Sequence, residues 1–160
     1  MEIILDKQFD ITNQNRKLLR SLLKYIPENL LFEIPPGFRN SIWWNLAHII
    51  ATQQILLYRF SGLTARVDEN WINTYMKGTL PTGIPKKKEI EFLKNGLVET
   101  AIWAAQDYDK GIFEGYEEYT TSTKVTLSSV EDAIHFNNYH EGLHLGVILS
   151  QIKVLGIKLG

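Results

Sequence analysis

The sequence contains no cysteine. That absence excludes disulfides, thiolate metal sites and a cysteine nucleophile, so any bound metal must be held by nitrogen and oxygen. Proline is scarce, with five in 160 residues. The five fall at positions 27, 35, 36, 81 and 85, which leaves long stretches without a helix breaker. Neither sign of charge prevails: 17 Lys and Arg face 18 Asp and Glu, a formal net charge of −1. Such a chain has no electrostatic footprint for nucleic acid. The only basic run, Lys86-Lys87-Lys88, follows Pro85 and reads as the solvated first turn of a helix, although it opposes the helix macrodipole there. No apolar stretch is long enough to span a bilayer. The residues Met1 to Lys7 lack the basic-then-apolar pattern of a secretory signal. Together these absences predict a cytoplasmic protein that engages neither membrane nor nucleic acid.

What is present is ordinary for a globular chain: 44% hydrophobic and 22% charged residues. The length suits one domain over residues 1–160 with a core of its own. Apolar residues recur at helical spacing in four segments. The first spans about Leu5 to Ile26, with Ile11, Leu18, Leu19, Leu22, Leu23 and Ile26 as its apolar face and Asn15 interrupting it. Pro27 and Pro35-Pro36-Gly37 end it in a loop. The second spans about Ser41 to Phe60, capped by Ser41 or Asn40. The third spans about Lys86 to Tyr108. The fourth begins near Ser128 or Ser129 and ends near Leu155, with Gly156 as its stop. Between the second and third lies a long stretch, Leu63 to Pro85, expected to be partly helical and to cover one end of the fold. Gly111 to Thr126 suits a short hairpin. The expected fold is therefore all-α, an antiparallel four-helix bundle with a long connection between its second and third helices.

The second segment is apolar around most of its girth, which predicts a central helix or an oligomer interface, and hence a homodimer. Trp43, Trp44, Trp71 and Trp103 read as core or interface residues. The polar exceptions on the second segment carry information. Asn45, His48 and Thr52 share one stripe.

His140 and His144 are one helical turn apart, so both rings can converge on one ion. With Glu141 between them they form His140-Glu141-Gly142-Leu143-His144, the H-E-x-x-H pattern of zinc proteases. In that pattern two nitrogens hold the metal and the carboxylate deprotonates bound water. The usual third ligand lies downstream, but no histidine, aspartate or glutamate follows His144. His48 supplies a better third ligand. Three neutral imidazoles suit zinc, nickel or iron and leave open positions for water or a substrate group. The plainer readings stand beside this one. A lone buried His48 is more often a hydrogen-bonded core residue, and His140 with His144 could line a solvated face. His135 has no partner at helical spacing. Glu141 is the candidate catalytic base, yet it lies about 100° around the helix from His140, and a supporting or exposed carboxylate is the commoner role. Asn45, Thr52, Asn137 and Gln151 are candidates to orient ligands or substrate.

Three stretches give the chain a resemblance. They are Trp44-Asn45-Leu46-Ala47-His48, His140-Glu141-Gly142-Leu143-His144-Leu145-Gly146 and Ile152-Lys153-Val154-Leu155-Gly156. In this order and spacing the sequence resembles the DinB/YfiT-like family over nearly its whole length. The resemblance implies a four-helix bundle, often homodimeric, with His48, His140 and His144 as ligands to nickel, zinc or a similar ion. It also implies, for some relatives, transfer or isomerisation of small-molecule substrates with a low-molecular-weight thiol. One departure is Val147, where the family frequently has glutamine.

The resulting expectation is a divalent-metal-dependent enzyme, in its sharper form a thiol-dependent transferase acting on small electrophiles. The alternatives are a non-catalytic bundle that binds a small ligand or partner, and an H-E-x-x-H protease or hydrolase.

Overall fold

The computed structural model describes residues 3–160. Met1 and Glu2, part of the amino-terminal stretch read above, lie outside the described residues. The fold is all-α apart from one two-stranded ribbon. Its elements are α1 (Ile3–Leu22), α2 (Glu28–Leu31), α3 (Ile42–Leu57), α4 (Glu69–Tyr75), α5 (Lys87–Asp109), β1 (Tyr119–Thr120), β2 (Thr126–Leu127) and α6 (Val130–Val154), with a 3-10 turn at Arg59–Ser61. No helix among the described residues is long and apolar enough to cross a membrane.

The long helices are α1, α3, α5 and α6. The main contacts run from α3 to α6, α6 to α1, α1 to α5 and α5 to α3. They therefore close a ring in which α1 lies diagonal to α3, and α5 diagonal to α6. Consecutive long helices are thus not always neighbours.

Local chemistry accounts for the helix ends. Ser41 Oγ accepts from the Trp44 amide at 3.2 Å, so Ser41 caps α3. Ser129 Oγ accepts from the Asp132 amide at 3.1 Å and starts α6. At the other end of α6, Gly156 takes φ +67 and lets Ile157 N reach Ile152 O at 3.1 Å. The lysines at the start of α5 are offset by Glu89, whose carboxylate accepts from the Lys86 amide at 2.9 Å. The stretch after Pro27, expected as loop, contains the single-turn helix α2, held by the buried Leu31. The long connection contains α4, capped by Asp68. Trp71 and Tyr75 of α4 pack with Trp43 of α3 in edge-on and tilted ring pairs. The ribbon pairs Tyr119 with Leu127 and Thr120 with Thr126, antiparallel, at the place where a hairpin was expected.

All of α3 except Thr52 and Ile55 is buried. Its own chain covers it, so its apolar girth requires no second copy. The apolar face assigned to α1 needs a correction. Leu19, Leu22 and Ile26 are buried as expected, but Ile11 and Leu18 are 45% and 44% exposed, and Leu5, Phe9, Thr12 and Arg16 are buried instead. The buried stripe follows the same period, displaced around the helix. Arg16, fully buried, can belong to this stripe because it pairs with a carboxylate on α6.

Candidate metal centre

The deeply buried α3 presents His48, and the neighbouring α6 presents His140 and His144. One ring nitrogen from each of the three lies within 4.8 Å of the others. The closest pair is His48 Nε2 and His140 Nε2, at 3.2 Å. Two nitrogens bound about 2.0–2.1 Å from one ion at angles near 90–110° stand roughly 2.9–3.4 Å apart. The observed pair therefore already has ligand spacing. His144 makes ring contacts with both partners, its centroid 4.7 Å from that of His48 and 4.5 Å from that of His140.

Hydrogen bonds fix the proton on two of the rings. His48 Nδ1 lies 2.7 Å from the Tyr75 carbonyl oxygen, which can only accept. Nδ1 therefore carries the proton, and Nε2 presents a lone pair to the cluster. His144 Nδ1 lies 2.7 Å from Asn45 Oδ1. The Asn45 amide cannot be turned the other way. Its Nδ2 already donates to Asn40 Oδ1, the Ser41 carbonyl and Gln151 Oε1. Gln151 is anchored in turn by donation to the Asn40 carbonyl at 2.8 Å. A chain from Gln151 through Asn45 thus orients His144, and the end of α4 orients His48. His140 Nδ1 is buried with no partner among the described residues.

All three rings are held neutral. Burial pushes His140 down to about 2, with help from the neighbouring His144, His48 and Arg16. Burial and His48 push His144 down to about 4. Burial also lowers His48, partly offset by its bond to Tyr75. Neutral imidazole is the form a metal requires. Three neutral imidazole nitrogens converging in a site that repels protons, two of them with lone pairs fixed toward the cluster, fit a divalent ion from the zinc, nickel or iron group. Trp44 stacks on His48, with centroids 4.5 Å apart and planes 14° apart, and so fixes the ring from its face.

The sequence candidates do not all meet at this point. Asn45 and Thr52 contact the histidines, with Thr52 Oγ1 3.3 Å from His48 Nε2, and Gln151 joins them through Asn45. Asn137 and Glu141 belong to a different cluster. Glu141 is buried rather than exposed, and its carboxylate receives Arg16 Nε at 2.9 Å and Arg16 Nη2 at 2.8 Å. Asn15 and Asn137 donate to the same carboxylate at 3.1 and 2.9 Å. Arg16 also donates to the Leu97 carbonyl and to Thr100. The carboxylate is therefore directed to α1, away from the open side of the histidines. His135 is exposed.

Sequence reasoning missed the Tyr75 carbonyl, which has no side-chain signature, and the partnership of Arg16 with Glu141. A signal for the second was present. Arg16 lies at helical spacing with Phe9, Thr12 and Leu19, on a stripe otherwise suited to the core.

A cavity of about 480 Å³ opens against the histidines. Its walls include Ile55, Leu56, Phe60, Phe136 and Leu143, with Thr52, Thr121 and Ser122 supplying hydroxyls. This volume suits a small organic molecule.

A family model described as the DinB superfamily matches residues 11–148, most of the chain and all three histidines. No curated protein matches the chain.

Proposed function

The chain belongs to the DinB superfamily, and on that premise we propose that it is a divalent-metal-dependent enzyme acting on a small molecule held in the histidine-lined cavity. The sharper form of the proposal is a transferase that joins a low-molecular-weight thiol to a small electrophile. One observation carries the reading. Three ring nitrogens converge within 4.8 Å, and two of their rings have Nδ1–H committed to oxygen acceptors.

Bound there, a nickel, zinc or iron ion supplies Lewis acidity, lowering the pKa of a thiol or water enough to make it a nucleophile at neutral pH. The protein supplies the rest. Tyr75 and Asn45 hold two rings in one tautomer and orientation. The Thr52 hydroxyl, beside His48 Nε2, is placed to hydrogen-bond a group entering from the cavity. Apolar walls at Ile55, Phe60 and Phe136 limit water around the nucleophile, which favours thiol transfer over hydrolysis. Glu141, committed to Arg16, Asn15 and Asn137, is given no proton-transfer role, so the geometry lends the protease reading little support. The same proposal takes the ring of long helices as an antiparallel four-helix bundle, one domain over residues 1–160. It includes a cytoplasmic location and a homodimer.

The decisive experiment uses the full chain purified without a histidine tag. Metal content and titration with nickel or zinc should give one ion per chain for the wild type and none for the His140→Ala, His144→Ala variant. Equal, negligible uptake by both overturns the metal reading and leaves the non-catalytic ligand-binding bundle. Conjugation of 1-chloro-2,4-dinitrobenzene to small thiols should then depend on the metal. A loaded protein that consumes no thiol overturns the transferase version while the metal site stands.

A further inference from the structure

The cavity over the histidines has one charged residue in its lining. Apart from the three histidines its side chains are apolar or bear hydroxyls, and Lys77 is its one lysine, arginine or carboxylate residue. Lys77 is exposed, and among the described residues it makes no ion pair. Its backbone, by contrast, is fixed. The preceding Tyr75 accepts the His48 proton through its carbonyl. Met76 accepts from both the amide and the hydroxyl of Thr79, and Trp44 Nε1 donates to that hydroxyl at 3.1 Å. Gly78, at φ +90, turns the chain between them, a conformation that favours glycine. The turn carrying Lys77 is thus tied to α3 at two points, both adjoining the histidine cluster.

From this arrangement we propose that the cavity takes a ligand with an apolar body and one anionic group, the body packed on Phe60, Phe136 and Leu143 and the anion paired with Lys77. Walls of this kind offer an uncharged polar body few hydrogen bonds, and a polar group buried without a partner costs binding energy. A cation would meet both Lys77 and the bound metal unfavourably. A carboxylate, sulfonate or phosphate at one end of the ligand would instead be steered to the cavity mouth and given a fixed orientation, leaving the apolar end to face the histidines. This proposal rests on the histidine cavity being the substrate site and adds the chemical class of what enters it.

A matched pair of fluorescent probes tests it. One is 8-anilinonaphthalene-1-sulfonate. The other is N-phenyl-1-naphthylamine, which has the same aromatic body without the anion. Both are titrated against the full chain, metal-free and zinc-loaded. In Lys77→Gln the sulfonate probe should bind about 1.5- to fivefold more weakly, the range for one exposed charge pair. The neutral probe should be unchanged, Lys77→Arg should retain sulfonate binding, and Lys153→Gln, altered at a distant exposed lysine, should affect neither. Equal binding of the sulfonate by wild type and Lys77→Gln overturns the proposal, as does equal loss of both probes. Metal uptake measured on the same proteins separates the two readings. Normal uptake with no charge discrimination defeats the ligand class alone. Charge discrimination without metal uptake defeats the metalloenzyme alone.

Discussion

Replacing one member of the Arg16–Glu141 pair should cost far more stability than either residue's sequence position suggests. Both side chains are essentially removed from water, at 0% and 1% exposure. The carboxylate accepts four hydrogen bonds, two of them from Arg16. Arg16→Met leaves a buried carboxylate with only two amide donors. Glu141→Gln puts an amide donor against the guanidinium and the Asn15 amide. Breaking a buried pair in this way costs about 3–5 kcal/mol, a large part of the roughly 5–15 kcal/mol that holds a domain folded. At about 3 °C per kcal/mol for a chain of this length, each single variant should melt about 9–15 °C lower. Arg16→Met combined with Glu141→Leu removes both charges and should cost less than either single change. Urea unfolding of the wild type, Arg16→Met, Glu141→Leu and the double variant gives the coupling directly, provided the slope with denaturant stays constant. Single variants that lose under 1 kcal/mol, or a double variant that loses the sum, would refute the reasoning. So would a Glu141→Gln protein that keeps its stability and loses turnover, since that outcome belongs to a catalytic base.

Three further outcomes follow from the site and α6. Asn45→Ala removes the acceptor for His144 Nδ1 and should weaken metal binding about 10–100-fold, measured by competition with a chelating dye; unchanged affinity would show that His144 needs no orienting partner. In metal-free protein the lowered histidines make stability depend on pH. Unfolded rings take protons near pH 6.5 while the folded rings resist until about 4 for His144 and about 2 for His140, so stability should be level above pH 6.5 and fall below it by up to about 1.4 kcal/mol per pH unit for each ring. A urea midpoint that stays constant from pH 7.5 to 5 would contradict the buried neutral state. Gly142 and Gly146 sit inside α6 with open space where a Cβ would be, so alanine at each should stabilise the chain by roughly 0.5–1 kcal/mol; a loss of stability in thermal melts would mean that another surface packs against them.

Much of this fold is written in periodicity. The four long helices lie where apolar residues recur at three- and four-residue spacing, and Ser41, Ser129 and Gly156 mark their ends because capping is a local interaction. The three histidines were also legible, since helical spacing brings His140 and His144 together and an inward polar stripe on α3 exposes His48 as an exception. What periodicity cannot encode is the partner across the core. Ile11 and Leu18 satisfy the helical pattern as well as Leu5 and Phe9 do, and partners across the core, among them the carboxylate of Glu141 bound to Arg16 125 residues away, decide which side of α1 turns inward. The H-E-x-x-H spacing invited a shared role for His140 and Glu141, but adjacent residues on a helix face different neighbours, and here those neighbours are α3 and α1. The contribution of Tyr75 comes from its backbone, so no residue type announces it.

The diagonal placement of consecutive long helices also has a bearing on how the chain is made. When α3 leaves the ribosome its two contact neighbours among the long helices, α5 and α6, have yet to be synthesised. A helix that ends nearly wholly buried must wait, its tryptophans and isoleucines uncovered, while nearly two thirds of the given sequence is still to come, a state in which exposed apolar surface invites aggregation. The last helix to emerge is also the one that brings two of the three histidines. An ion held by all three histidines would therefore require α6 to be in place, and chains stalled before α6 should depend most on chaperones.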